Sequence, residues 1–155
     1  MTAPSLRTVI VSSTLSPVYT KALRDRVPPH IALIDAPMSG AQVKAKAGTL
    51  SFMVGGDHDT ITQVHPLLEA MGQEIHVMGD FGAGMSAKVL NNLLAASSTA
   101  LTRLVPDWAD SADIDAKKLL ALIHASSGQN WLASGFDEIE FARDGFEQDN
   151  SIGIL

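Results

Sequence analysis

The sequence contains no cysteine, which excludes disulfide bonds, thiolate nucleophiles and cysteine-based zinc sites. No apolar run approaches the roughly 20 residues that a helix needs to cross a bilayer, and the N-terminus lacks the basic start and apolar stretch of a secretory signal. The 11 basic residues are scattered and are outnumbered by 17 acidic ones, so the net charge of −6 would repel a nucleic-acid backbone. These features predict a soluble, cytoplasmic protein that binds neither a membrane nor nucleic acid.

The composition is that of a folded globular chain. Of the 155 residues, 46% are hydrophobic and 18% are charged, so a mostly disordered chain is excluded. A chain of this length can build one core of ordinary domain size, or two small lobes that share one.

Predicted strands and helices alternate over residues 7–79. Short β-branched or apolar runs predict strands at 8–11, 31–34, 50–54 and 75–78. Ser16 and Pro17 fit the N-cap and first position of a helix, and Asp57 or Asp59 can cap a second one. This order predicts a mainly parallel sheet covered by helices. The stretch between residues 35 and 49 reads as a small, polar loop without a crossover helix, which favours an antiparallel pair there.

From Gly84 onward the apolar spacing is helical and no strand pattern returns. We therefore place a domain boundary near residue 80. The predicted architecture is an α/β lobe over residues 1–80 followed by an all-helical lobe over residues 81–155.

A glycine-rich segment, residues 82–87, matches G-x-G-x-x-A between a predicted strand and a predicted helix. A dinucleotide fingerprint also needs a second strand that ends in an acidic residue about twenty positions later. A long helix continues here instead, which favours a simple glycine-rich helix start.

Lys88 and Asn92 stand four residues apart on one helical face, close to that helix start. The positive end of the helix dipole should lower the pKa of the ammonium, which suits a lysine that exchanges a proton near neutral pH. Asn92 could position a hydroxyl or carbonyl beside it. The alternative is a solvated surface lysine whose stem covers an apolar neighbour.

Two further polar segments follow predicted strands. Ser39 and Gly40 could hold an anion at the carboxyl end of a strand, or form only a tight turn. Thr14 belongs to a polar cluster that either contacts a ligand or leads into an N-cap. The five histidines show no metal-ligand spacing, so no metal site is predicted.

Four stretches together resemble the β-hydroxyacid dehydrogenase family, which includes 3-hydroxyisobutyrate dehydrogenase and relatives of 6-phosphogluconate dehydrogenase. They are Ser-Thr-Leu-Ser-Pro at 13–17, Asp-Ala-Pro-Met-Ser-Gly at 35–40, the glycine-lysine-asparagine segment at 82–92, and Ser-Ser-Gly-Gln-Asn-Trp at 126–131. The resemblance implies a partial Rossmann-like sheet, the second half of a nucleotide-binding domain, and then the start of a helical dehydrogenase domain. It implies NAD or NADP as cofactor and a small hydroxyacid as substrate.

By the same resemblance, Lys88 is the general acid/base on the substrate hydroxyl and Asn92 is its positioning partner. Ser39 and Gly40 contact the substrate carboxylate, and Asn91 belongs to the substrate-binding residues. Thr14 contacts the cofactor.

The sequence departs from the family pattern at both ends. No G-x-G-x-x-G turn precedes Thr8, and residues 146–155 approach a family Lys-Asp-Leu motif but end in Gly-Ile-Leu. A chain truncated in this way should bind the cofactor poorly and be weak or inactive alone. The alternatives are a non-catalytic oligomeric binding or assembly module, and one half of a two-chain enzyme. We expect either a homodimer or a partner chain that supplies the cofactor-binding half.

Overall fold

The structure is a computed structural model that describes residues 6–134. Contacts divide the chain into two compact units, residues 1–91 and 92–155. The boundary lies within a long helix rather than just before it, because the first turns of that helix pack on the sheet.

The strands are β1 (Thr8–Val11), β2 (Ala32–Asp35), β3 (Met38–Ser39), β4 (Leu50–Gly55) and β5 (Gly72–Gly79). The helices are α1 (Pro17–Ala22), α2 (Ala41–Ala47), α3 (His58–Glu69), α4 (Ala83–Arg103), α5 (Val105–Ser111), α6 (Ala116–His124) and α7 (Trp131–Ser134). A 3-10 turn, Leu23–Arg26, follows α1.

The five strands form one mixed sheet. β1 pairs with β2 in parallel, and β4 pairs with β5 in parallel. The two parallel pairs meet where β2 joins β4 in antiparallel orientation, with Asp35 opposite Gly55, so the predicted antiparallel pair is confirmed. β3 runs antiparallel to β4 and places Ser39 opposite Ser51.

The expectation of a plain loop between residues 35 and 49 is wrong. This stretch contains β3 and α2, the latter ended by Gly48 in the left-handed conformation. The helix was missed because none of its residues is buried, so it has no apolar face that a sequence pattern could reveal.

The main core lies between one face of the sheet and α3. Ile34, Phe52 and Val54 point from the strands toward three α3 side chains, which are Ile61, Val64 and Leu68. Asp57 caps α3 by accepting a hydrogen bond from the backbone N–H of Thr60, so this predicted cap is confirmed. The core fixes which side chains the strands present on the opposite face of the sheet.

The second unit is helical over its described residues. Asn130 organises its last turn, because its side-chain oxygen accepts hydrogen bonds from the backbone N–H groups of Leu132 and Ala133 and its amide donates to Thr102. No helix within residues 6–134 is long and apolar enough to cross a membrane. The predicted motif at residues 146–155 lies outside the described residues.

Candidate functional site

The start of α4 is held by a carboxylate from the sheet. Asp35, fully buried at the end of β2, accepts hydrogen bonds from the backbone N–H groups of Gly82 at 2.6 Å and Met85 at 2.5 Å. First-turn N–H groups have no partner within their own helix, so Asp35 supplies one from a distant strand. The glycine segment is therefore a helix start, as the favoured interpretation predicted.

Glycines allow this helix start to approach the strands closely. A side chain at Gly84 would overlap the carbonyl oxygen of Met53 in β4. A side chain at Gly55 would lie 2.7 Å from the carbonyl oxygen of Asp80 and 2.9 Å from the amide nitrogen of Gly84. The backbone of α4 thus begins in direct contact with the ends of β2 and β4.

Lys88 lies in the second turn of α4 and is only 9% exposed. Most of the side chain is covered, which fits both the catalytic interpretation and the alternative of a lysine whose stem covers an apolar neighbour. Burial removes water from the ammonium and lowers the pKa of Lys88 below its usual value. The lowered pKa was predicted, but its cause is desolvation and not the helix dipole. The positive end of that dipole faces the Asp35 carboxylate. Within residues 6–134, the Lys88 side chain makes no hydrogen bond or ion pair, and its Nζ is not a fully buried atom, so the end of the side chain keeps contact with solvent.

The two asparagines follow Lys88 on the same helix. Asn92 is half-buried one turn beyond Lys88, whereas Asn91 is exposed. Neither side chain hydrogen-bonds to another residue of the described part, so both amides are open to a ligand.

Ser39 lies on the face of the sheet that also carries Asp35. Met38 packs against the core, so Ser39, the next residue along the strand, points to the opposite side. Ser39 is level with Ser51 near the amino end of β4, because β3 runs antiparallel to it. Ser39 is thus the last residue of a strand and Gly40 follows it, as predicted, but that strand is the short antiparallel β3.

Gly40 makes the tight turn that leads into α2. Its φ is 132°, and a side chain there would collide with the stem of Lys44. The turn interpretation is thus correct for the backbone. The hydroxyl of Ser39 has no hydrogen-bond partner among the described residues and is available to a ligand.

Thr14 lies in the loop between β1 and α1. The next residue, Leu15, donates its backbone N–H to the sulfur of Met85 at 3.1 Å, which ties this loop to the start of α4. Thr14 is half-buried and makes no side-chain hydrogen bond to the described part of the chain. Its role in cofactor contact stays a prediction.

Asp35 is the residue that sequence reasoning missed. An aspartate at the end of a buried strand is a signal of a special role, since carboxylates are seldom buried without partners. Its partners, however, are 47 and 50 residues away in the sequence and could not be read from it.

The described residues fit only part of a dinucleotide. The Thr14 hydroxyl makes no hydrogen bond to residues 6–134, so it has donor and acceptor capacity for a cofactor contact. The pyrophosphate does not fit at α4, because its first N–H groups bind the Asp35 carboxylate, which would also repel phosphate. Residues 6–134 contain no cluster of three or more metal-ligating side chains.

Comparison with known proteins identifies the family. Residues 3–79 match the family model described as the NAD binding domain of 6-phosphogluconate dehydrogenase. Mitochondrial 3-hydroxyisobutyrate dehydrogenase of Mus musculus is 34% identical over 144 residues, which are 92% of this chain and 43% of that protein. This chain belongs to the 3-hydroxyisobutyrate and 6-phosphogluconate dehydrogenase NAD-binding family.

Other members of the dehydrogenase family show the same partial coverage. An NAD-dependent L-serine dehydrogenase of Pseudomonas aeruginosa is 40% identical over 127 residues, covering 79% of this chain and 42% of that protein. A solved structure of Mycobacterium tuberculosis 3-hydroxyisobutyrate dehydrogenase with L-serine has a TM-score of 0.74 and 34% identity, covering 81% of this chain and 43% of that one. The chain thus spans about 43% of the length of these relatives.

Proposed function

We propose that this chain takes part in the NAD- or NADP-dependent oxidation of a small β-hydroxyacid, with Lys88 as the group that accepts the substrate's hydroxyl proton. The observation that carries the proposal is the burial of most of the Lys88 side chain, with a lowered pKa and no hydrogen-bond partner within residues 6–134. Such a lysine is more readily neutral near physiological pH, and a neutral amine can accept a proton.

Two observations support a small β-hydroxyacid as the substrate class: the polar side chains without partners among residues 6–134, and the substrates named for the relatives. L-Serine and 3-hydroxyisobutyrate share a carboxylate and a hydroxyl on the β-carbon. The Ser39 hydroxyl, with Gly40 and Asn91, is proposed to bind the carboxylate, and the Asn92 amide to hold the hydroxyl near Lys88.

The chain's own part of the reaction is binding, orientation and proton transfer. The hydroxyl proton passes to Nζ of Lys88 while the carbon–oxygen bond becomes a carbonyl. A bound nicotinamide supplies the hydride acceptor. Thr14 is proposed to lie against that cofactor.

The cofactor phosphates need a separate binding site. The first unit is proposed to correspond to the second half of a nucleotide-binding domain, because the helix start that it offers is already occupied by Asp35. Residues outside the described range, or a partner chain, would then hold the pyrophosphate.

The test is NAD+ and NADP+ reduction by the purified chain with L-serine and 3-hydroxyisobutyrate, combined with calorimetric titration of NADH and NADPH. We expect Lys88→Met to lower kcat by at least about 100-fold. Lys117→Met on the exposed side of α6 is the matched control and should leave kcat unchanged. Undetectable cofactor binding together with no turnover would refute a self-sufficient dehydrogenase, and an active Lys88→Met would refute the role of Lys88.

A second candidate is an assembly module. Leu93, Leu94 and Leu101 on α4 are 61%, 73% and 61% exposed, and large apolar side chains grouped on one helix favour association. We propose a second copy of the chain, or a chain carrying the cofactor-binding half, as the partner. Leu94→Glu should reduce the native mass measured by light scattering, whereas Lys88→Met should not. A wild-type chain that is monomeric at high concentration would contradict self-association.

A further inference from the structure

Asp35 is a buried carboxylate whose strongest contacts lie far away in the sequence. Burial raises the pKa of Asp35, and the backbone hydrogen bonds from Gly82 and Met85, together with the nearby Lys21, act against that rise. A buried charge is costly unless it is hydrogen-bonded, so these two contacts are needed to keep the carboxylate in place. Asp35 acts like an N-cap acid, although a strand supplies it.

The contacts around Asp35 fix where α4 begins. Gly84 packs on the backbone of Met53, and Gly82 packs on the stem of Lys21 at the end of α1. Sheet, first helix and α4 therefore meet at one point with little room for adjustment. A displacement of the helix start by about 1 Å would take at least one of these hydrogen bonds beyond its normal length.

The position of the start of α4 determines the position of Lys88. Lys88 lies one turn beyond Gly84, or about 6 Å along the axis of α4. It also lies three residues beyond Met85, so the two side chains share a side of the helix. Because α4 is regular over Ala83–Arg103, a shift at its start moves Lys88 by a similar amount.

We infer that Asp35 is a positioning residue for the reaction: by binding the N–H groups of Gly82 and Met85 it sets the place and the electrostatic surroundings of Lys88. The inference rests on the proposed role of Lys88. A misplacement of about 1 Å can cost a catalytic group on the order of 100-fold in rate, so the requirement goes beyond holding the fold together.

Asp35→Asn is the informative variant, and Asp57→Asn is its matched control. Asparagine keeps the size of Asp35 and one acceptor oxygen but removes the charge and the second acceptor. Asp57 also caps a helix, α3, through the N–H of Thr60, and it is exposed and makes no hydrogen bond to α4. Both variants weaken the start of a helix, but only Asp35→Asn affects the helix that carries Lys88.

The first measurement needs no turnover. The pKa of Lys88 is determined by NMR of ε-labelled lysines in the full chain, with Lys88→Met used to assign the signal. We expect Asp35→Asn to lower this pKa by about 0.3–0.7 pH unit, since the positive end of the α4 dipole is no longer offset, and Asp57→Asn to leave it unchanged. Equal pKa values in wild type and Asp35→Asn would overturn the inference.

The second measurement separates positioning from stability. In Asp35→Asn we expect kcat to fall about tenfold or more with KM for the hydroxyacid within about twofold, at a temperature where the variant is fully folded. Asp57→Asn should lower only the melting temperature. If wild type shows no turnover while the pKa of Lys88 still shifts in Asp35→Asn, the proposed function fails and the influence of Asp35 on Lys88 stands.

A wild-type measurement covers the case in which Asp35→Asn does not fold. First-turn amides normally exchange quickly with solvent, because they lack helix partners. The amides of Gly82 and Met85 should instead exchange as slowly as the middle of α4. Fast exchange of both amides would show that Asp35 does not hold the helix start.

Discussion

Replacing Gly84 by alanine tests the contact between α4 and the sheet. The test is whether the free energy of unfolding rises or falls. In an unconstrained helix interior, glycine to alanine is stabilising by about 1 kcal/mol. In this structure the new methyl group would overlap the carbonyl oxygen of Met53 and lie 3.0 Å from a carboxylate oxygen of Asp35. Neither atom is the free end of a flexible side chain, so relief requires movement of the backbone.

The magnitude follows from these opposing terms. Overpacking a tight site costs about 1–3 kcal/mol, and weakening a hydrogen bond to a charged group costs about 1.5–3 kcal/mol. After subtraction of the helix-propensity gain of about 1 kcal/mol, Gly84→Ala should reduce the free energy of unfolding by about 1.5–5 kcal/mol. Helix propensity alone predicts the opposite sign.

Urea unfolding followed by far-ultraviolet circular dichroism measures this difference. Gly128→Ala is the matched control, because its new methyl group would meet only a side-chain carbon of Ile123 at the ordinary distance of 3.4 Å. The control should be neutral, or more stable by about 0.4–1 kcal/mol. A Gly84→Ala variant as stable as wild type would refute the argument that α4 begins in backbone contact with β4.

Three further predictions concern other sites. Asp57→Ala should lower the melting temperature by a few degrees through loss of the α3 cap, and an unchanged thermal scan would contradict this. Asn130→Ala should cost about 2 kcal/mol in urea unfolding, because the N–H groups of Leu132 and Ala133 lose their acceptor; a loss below about 0.5 kcal/mol would speak against it. The pKa of Lys88 is lowered in the fold, so the unfolded chain binds more protons between that value and 10.5. Wild-type stability relative to Lys88→Met should therefore rise with pH in that window, and a difference that falls with pH would have the wrong sign.

Local signals in the sequence were sufficient for much of the first unit. Ser16 and Asp57 are N-caps, and each accepts a hydrogen bond from the N–H group three residues later. Their roles can therefore be predicted from the adjacent sequence. The strands were found because their apolar runs fill the core, with Phe52 and Val54 as examples. The antiparallel join followed from the length of the connection alone.

Long-range contacts account for what the sequence did not reveal. Asp35 binds the start of α4 across 47 residues, and no pattern near Asp35 records that partner. Lys88 was expected to owe its lowered pKa to the helix dipole, which is a local property, whereas burial by the tertiary fold is the cause. The strand that ends at Ser39 was not predicted, because a two-residue strand is recognisable only through its pairing with β4.

The exposed helix α2 has a consequence for how substrate preference can change in evolution. All of its residues face solvent, and Ser39 just before it is held by the pairing of β3 with β4 rather than by the helix. Gly48 ends α2, and its backbone N–H donates a hydrogen bond to the carbonyl of Ala45. The chain then continues into β4. Substitutions in α2 should therefore cost little stability and leave Ser39 in place. Selection can vary this segment beside the proposed carboxylate site while α4 and the core stay unchanged.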